Sequence, residues 1–281
     1  LKPLQGAELL IARPQSDDTE RQLRQVWELD DYTQWLVRDS DHVRNDFLLY
    51  QIFPEHKQPR WSTEAVHPTS SPEAFARQAE PFRQYLWEEV LGKFDEPLLP
   101  ANPRSVKIAE QDGWVAYDVV LDVFPDLIAW GILMIPKDLA ADERRPVVVV
   151  QHGRNGLPQN IMNGGYHNVA GRLLEQGLIV FAPHNLYRGE DRYRWLDRKA
   201  NSVKASLFSF IIAQHDQITR WLESLPFVDG EKIAFYGNSY GGETAVRVPP
   251  IVTRYALSIC ASDFNDWTRK VADTHDSHSF M

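Results

Sequence analysis

A chain of 281 residues with 43% hydrophobic side chains can bury a sizeable core, as one large domain or two small ones. Its formal charge of −9, from 30 basic and 39 acidic residues, argues against nucleic acid or an anionic membrane surface as partner, and makes a neutral or cationic substrate easier to accept. The single cysteine, Cys260, excludes an internal disulfide and a Cys-based zinc motif, and no apolar run reaches the ~20 residues that span a bilayer, so no membrane partner is expected.

Residues 1–15 carry no periodicity. Ser16-Asp17-Asp18 then supply capping residues ahead of Leu23, Val26, Trp27, Leu29, Trp35 and Leu36 at helical spacing, which predicts an amphipathic helix over about 18–38. Prolines at 54, 59, 68 and 72 mark an extended connector over 54–72. Ser71-Pro72-Glu73 starts another helix, which Pro81 is expected to divide, with a second part over 82–91 closed by Gly92. Residues 1–103 thus read as a helical extension and 104–281 as an α/β domain.

From Val106 the period changes to two. The β-rich runs 115–124 and 127–135 flank Pro125-Asp126 and predict an antiparallel hairpin. Val147-Val148-Val149-Val150 is an unbroken β-branched run of the kind buried on both faces of a parallel sheet. A helix over 165–176 ends at Gly177, a strand follows over 178–183, and 203–224 forms the longest helical pattern, with Leu207, Phe210, Ile211, Ile218, Trp221 and Leu222 on one stripe. Strands follow at 232–236 and 255–260. Alternation of strand and helix from 146 onward predicts a mostly parallel, doubly wound sheet fronted by the antiparallel hairpin.

The strand at 232–236 enters Gly237-Asn238-Ser239-Tyr240-Gly241, and a small-residue, helix-compatible stretch leaves it. Strand, sharp turn and helix are the context in which G-x-S-x-G carries chemistry. A serine hydroxyl is a poor nucleophile in open solution and must be lifted above the sheet, against a base and beside amide donors that hold an oxyanion. Glycine at 237 and 241 permits such a turn, since a Cβ at either place would press on the neighbouring strand or helix. Ser239 is therefore the candidate nucleophile. The loop after strand 147–150 is where the second amide donor of such a site arises, so the backbone N–H of Arg154 is paired with that of Tyr240 as the candidate oxyanion hole. His152 reads as a buried brace for this loop. Arg188, after strand 178–183, lies at the carboxyl edge of the sheet, where it either binds a substrate carboxylate or holds a loop by a salt bridge.

Four stretches carry a resemblance: Arg83-Gln84-Tyr85-Leu86 through Leu91-Gly92, Gly131-Ile132-Leu133-Met134-Ile135-Pro136-Lys137, His152-Gly153, and Gly237-Asn238-Ser239-Tyr240-Gly241-Gly242. Together they resemble the acetyl xylan esterase and dienelactone hydrolase branch of the α/β-hydrolase superfamily, over roughly 180 residues from 82 to 262. The resemblance implies an α/β-hydrolase fold and a serine esterase that acts on a small-molecule or glycan ester through an acyl-enzyme, without metal or organic cofactor. Its relatives place the acid and the histidine of the triad on loops after the last two strands. The sequence ends 42 residues beyond Ser239 (281 − 239), so the C-terminal part of the fold, with base and acid, is expected on a C-terminal fragment or second chain. Asp263, Asp266, Asp273, His275, Asp276 and His278 form the remaining titratable tail, which reads as a solvated terminus. Two other readings stand beside the esterase. One is a prolyl oligopeptidase-type serine peptidase, whose usual β-propeller the first hundred residues are too short to supply; the other is a catalytically silent binding protein that keeps the fold without the base.

Overall fold

The computed structural model describes residues 18–47, 71–188 and 192–262. The chain divides into two compact units, one formed by Leu1–Phe75 with Asn265–Met281 and the other by Ala76–Phe264. Residues 1–15, most of the expected connector and the titratable residues from Asp263 to His278 lie outside the described segments.

In the first unit, helix α1 (Asp18–Phe47) begins where its acidic capping residues predict and runs past residue 38. The extension is polar and has no apolar stripe for a periodicity argument to follow. Helix α2 (Pro72–Tyr85) starts with proline in its first turn but is not divided at Pro81. Pro81 and Arg77, four residues earlier, are both exposed, so the carbonyl that loses its N–H partner is open to water. The change comes later, where a π-helical turn (Leu86–Leu91) ends at Gly92 with φ 86°. Within the second unit, the Arg83 guanidinium donates to the Pro250 carbonyl.

The second unit is built on seven strands: β1 (Arg104–Glu110), β2 (Trp114–Phe124), β3 (Leu127–Pro136), β4 (Arg145–Gln151), β5 (Ile179–Pro183), β6 (Val228–Asn238) and β7 (Tyr255–Ala261). Their order across the sheet is β1-β2-β3-β5-β4-β6-β7. The hairpin forms as expected, with Phe124 opposite Leu127 across Pro125-Asp126. The sheet is mixed: β1, β2, β3 and β5 pair antiparallel, and β5, β4, β6 and β7 pair parallel.

Helices α3 (Pro158–Met162), α4 (Gly165–Glu175), α5 (Tyr193–Asn201), α6 (Leu207–Ser224) and α7 (Tyr240–Arg247) cover the sheet. The valine run of β4 shows why it is unbroken. Val147 and Val149 pack with Ile211, Ile218 and Leu222 of α6 on one face, whereas Val148 and Val150 pack with Ile161, Ala170 and Leu174 of α3 and α4 on the other. With side chains alternating between two covered faces, every position must be apolar, and each buried valine contributes roughly 1.5–3 kcal/mol.

Residues 203–224 do not form one helix. The chain turns at Lys204, with φ 61°, and α6 starts after Ser206. The Ser206 hydroxyl accepts from the Phe208 amide (3.1 Å) and donates to the Leu91 carbonyl (2.5 Å), while the Ser209 hydroxyl accepts from the Ser206 amide (3.0 Å) and donates to the same carbonyl (2.9 Å). This N-cap ends the helical register that a stripe count alone continues backwards. The same fold sends the chain leaving β4, β5 and β6 towards one edge of the sheet.

Candidate active site

Ser239 stands between β6 and α7 with φ 56° and ψ −124°, a backbone conformation that side chains rarely adopt. Its amide donates to the Ala261 carbonyl (2.9 Å) and its carbonyl accepts from the Glu243 amide (3.0 Å), and the residue is exposed. The turn is as tight as its glycines suggest. A Cβ on Gly237 would lie 1.8 Å from the Gly241 carbonyl oxygen, and one on Gly241 would lie 2.6 Å from that of Gln151 and 2.8 Å from that of His152. The start of α7 is thereby pressed against the end of β4. A Cβ on Gly153 would sit 3.3 Å from the Ser239 Cβ, which puts the loop after β4 directly beside the serine.

Two amides border this spot. Tyr240 is the first residue of α7, so its N–H has no acceptor within the helix and shares the positive end of the helix dipole. In the loop after β4, Gly153 N–H donates to the Tyr166 hydroxyl (2.7 Å), Asn155 N–H to the Tyr187 carbonyl (3.4 Å) and Gly156 N–H to the Gly153 carbonyl (3.1 Å). Among the described residues, the Arg154 N–H between them takes no such partner.

His152 is fully buried. Its Nε2 accepts from the Asn185 amide (3.3 Å), which leaves the proton on Nδ1, 2.8 Å from the Gly153 carbonyl. Burial lowers its pKa to about 4, so the ring is neutral near pH 7 and spends both nitrogens on the backbone. It braces the loop, as its sequence context suggests. Behind it runs a buried polar chain. The Tyr187 hydroxyl donates to the His152 carbonyl (2.7 Å), and Asn185 Nδ2 lies 3.3 Å from both the Tyr187 and Thr244 hydroxyls. Asn185 Oδ1 accepts from His215 Nε2 (3.1 Å), whose Nδ1 accepts from the Tyr255 hydroxyl (2.7 Å). The Thr244 hydroxyl donates to the Tyr240 carbonyl (3.0 Å), so one network holds the loop after β4 and the start of α7 together.

Residues 131–256 match the sequence model of the Dienelactone hydrolase family. A protein assigned as an acetyl xylan esterase from Bacteroides fragilis has the same architecture, with a TM-score of 0.56 at 17% identity over 75% of this chain and 58% of that one. The chain has the α/β-hydrolase fold. The chain is also similar, more weakly, to the acetyl xylan esterase from Paenibacillus sp. R4, at 19% identity with a TM-score of 0.48 over 72% of this chain and 63% of that one. A glucuronoyl esterase from Solibacter usitatus gives 13% identity and a TM-score of 0.47 over 72% and 63%. The chain spans about 58% of the Bacteroides protein's length. No curated protein matches the sequence.

Within this fold, the structure brings Ser239, Tyr240 and the Arg154 loop together, and Arg188 follows Tyr187, whose carbonyl accepts from the Asn155 amide of that loop. Arg188 is half-buried and already engaged in an interaction, and it does not line the cleft beside the site. That cleft, of about 490 Å³, is walled by Arg154 and by residues of α5 and the position before it. Asn185 and Tyr187, which organise the site from below, are not singled out by the sequence: they stand in an irregular loop without spacing to mark them. The arginines of α5 carry a readable signal in Arg192-Tyr193-Arg194-Trp195, but a net charge of −9 hides it.

Proposed function

We propose that this chain carries the nucleophile of a serine carboxylic-ester hydrolase acting on an esterified carbohydrate or small ester. The observation that supports it most is Ser239 itself, an exposed residue on a strained turn beside two amides that have no acceptor among the described residues. In this reading the Ser239 oxygen attacks the ester carbonyl and its proton passes to a histidine base oriented by a carboxylate, which the proposal places outside the described residues. The N–H groups of Tyr240 and Arg154 hold the tetrahedral oxyanion, each contributing on the order of 3 kcal/mol. Collapse expels the alcohol, and water then attacks the acyl-serine to release the acid. No step calls for a metal or an organic cofactor.

The test uses the full-length protein with p-nitrophenyl acetate and a fluorophosphonate probe. Ester turnover and labelling are expected in the wild type, with turnover falling at least about 10⁴-fold and labelling disappearing in Ser239→Ala. Equal turnover in the two proteins would remove Ser239 from the mechanism. Cleavage of peptide substrates in preference to esters would favour the peptidase instead.

A further inference from the structure

Two features of the cleft point to a ligand. Arg154, Arg192, Arg194 and Arg198 converge on it, and among the described residues no carboxylate lines it. Guanidinium groups stay charged at any physiological pH, so a cleft lined by four of them favours an anion. Asp197, the acid within α5, is turned to the opposite task and accepts from the Leu207 amide at the start of α6 (2.8 Å). The second feature is Trp195, in the same wall and 66% exposed, where folding alone would cover an indole.

The helix presents these groups in a fixed array. Tyr193 is buried and anchors the start of α5, and its hydroxyl accepts from Arg194 Nε (3.3 Å). Arg194 and Arg198 are four residues apart and share one face, and Trp195 and Arg198 are three apart and adjacent. Arg154 joins the cleft to the proposed site: it follows Gly153, where a Cβ would sit 3.3 Å from the Ser239 Cβ, and it lines the cleft.

We propose that this cleft binds the carboxylates of an acidic glycan, so that the ester attacked at Ser239 belongs to a uronate-bearing carbohydrate. The inference rests on the reading of Ser239 as nucleophile for its reaction, but not for its binding. Planar carboxylates match the guanidinium fork in a way that a point charge does not need, and an exposed indole offers a platform to the apolar face of a sugar ring. The volume lies within the ~300–1,000 Å³ that small-ligand sites occupy. Several arginines rather than one point to more than one carboxylate, hence to an oligomer. The acidic body of the protein, which by itself suggests a neutral or cationic substrate, is overridden locally.

Calorimetric titration of full-length Ser239→Ala protein with trigalacturonate tests this, with cellotriose and inorganic sulfate as comparisons. Saturable binding of trigalacturonate is expected, at least about tenfold weaker in Arg194→Gln/Arg198→Gln and intermediate in Arg194→Lys/Arg198→Lys, which keeps charge but loses the fork. Raising salt from about 0.05 to about 0.5 M should weaken it severalfold. Melting temperatures establish that each variant folds; if the double glutamine variant does not, Arg192→Gln, which precedes the helix, serves in its place. The proposal is overturned by no binding, by equal binding of cellotriose or sulfate, or by indifference to the arginine substitutions. Because the reactive hydroxyl is absent from the protein used, none of these results depends on whether the wild type hydrolyses esters. Loss of ester turnover in Ser239→Ala remains a separate reading.

Discussion

A methyl group on Gly241 would need space already taken by the carbonyl oxygens of Gln151 and His152, at 2.6 and 2.8 Å, so Gly241→Ala must push α7 away from the end of β4. Overpacking of this kind costs about 1–3 kcal/mol, and because it separates the Tyr240 and Arg154 amides, ester turnover should fall further than the stability loss accounts for. Denaturant unfolding and p-nitrophenyl acetate hydrolysis on the same variant measure both. Tyr187→Phe tests the network from below. It removes the donor to the His152 carbonyl inside a fully buried cluster, and a loss of about 1–3 kcal/mol is expected in the same unfolding experiment. At this scale the sequence was legible where chemistry has a local signature: Gly237, Ser239 and Gly241 announce a turn within five residues. Asn185, Tyr187 and His215 do not, because what gives them meaning is contact with residues 30 or more positions away.

Elements were legible in proportion to their periodicity. The strands β2, β3 and β4 alternate or run apolar, and the α6 stripe is unmistakable, so their existence and type follow from pattern alone. Helix α5 escapes because its apolar stripe, Tyr193, Leu196 and Ala200, is confined to nine residues crowded with charge, and α3 is only five residues long. The start of α6 turns on one hydroxyl. Ser206→Ala removes the acceptor for the Phe208 amide and one donor to the Leu91 carbonyl, and should cost about 1–2 kcal/mol in chemical denaturation. Ser206→Thr keeps the oxygen and should recover most of it. The undivided α2 makes the complementary point: a proline need not end a helix where the carbonyl it orphans can reach water.

For the molecule as a whole, composition gives an average and the site departs from it. Alternating strands and helices suffice to name the fold class, whereas net charge misleads about the surface beside Ser239, since a cluster of four arginines barely moves a sum over 69 charged side chains (30 + 39). Stability should depend on pH through two interior histidines. Burial lowers His152 to about 4 and His215 to about 3, both below the ordinary value near 6.5. Above pH 6.5 neither ring is protonated in either state and the contribution is fully present. As pH falls from there towards 4 and then 3, the unfolded chain takes up protons that the folded chain refuses, so stability drops. Melting temperature should therefore decline steadily between pH 7 and pH 4, and His215→Gln, though less stable throughout, should show a shallower slope. Set against this stability is the backbone at Ser239. A φ of 56° burdens any residue with a side chain by roughly 1 kcal/mol or more and suits glycine. Ser239→Gly should consequently melt above Ser239→Ala although both lack the hydroxyl. If Ser239 is the nucleophile proposed above, its hydroxyl is kept at a conformational cost that glycine would not bear.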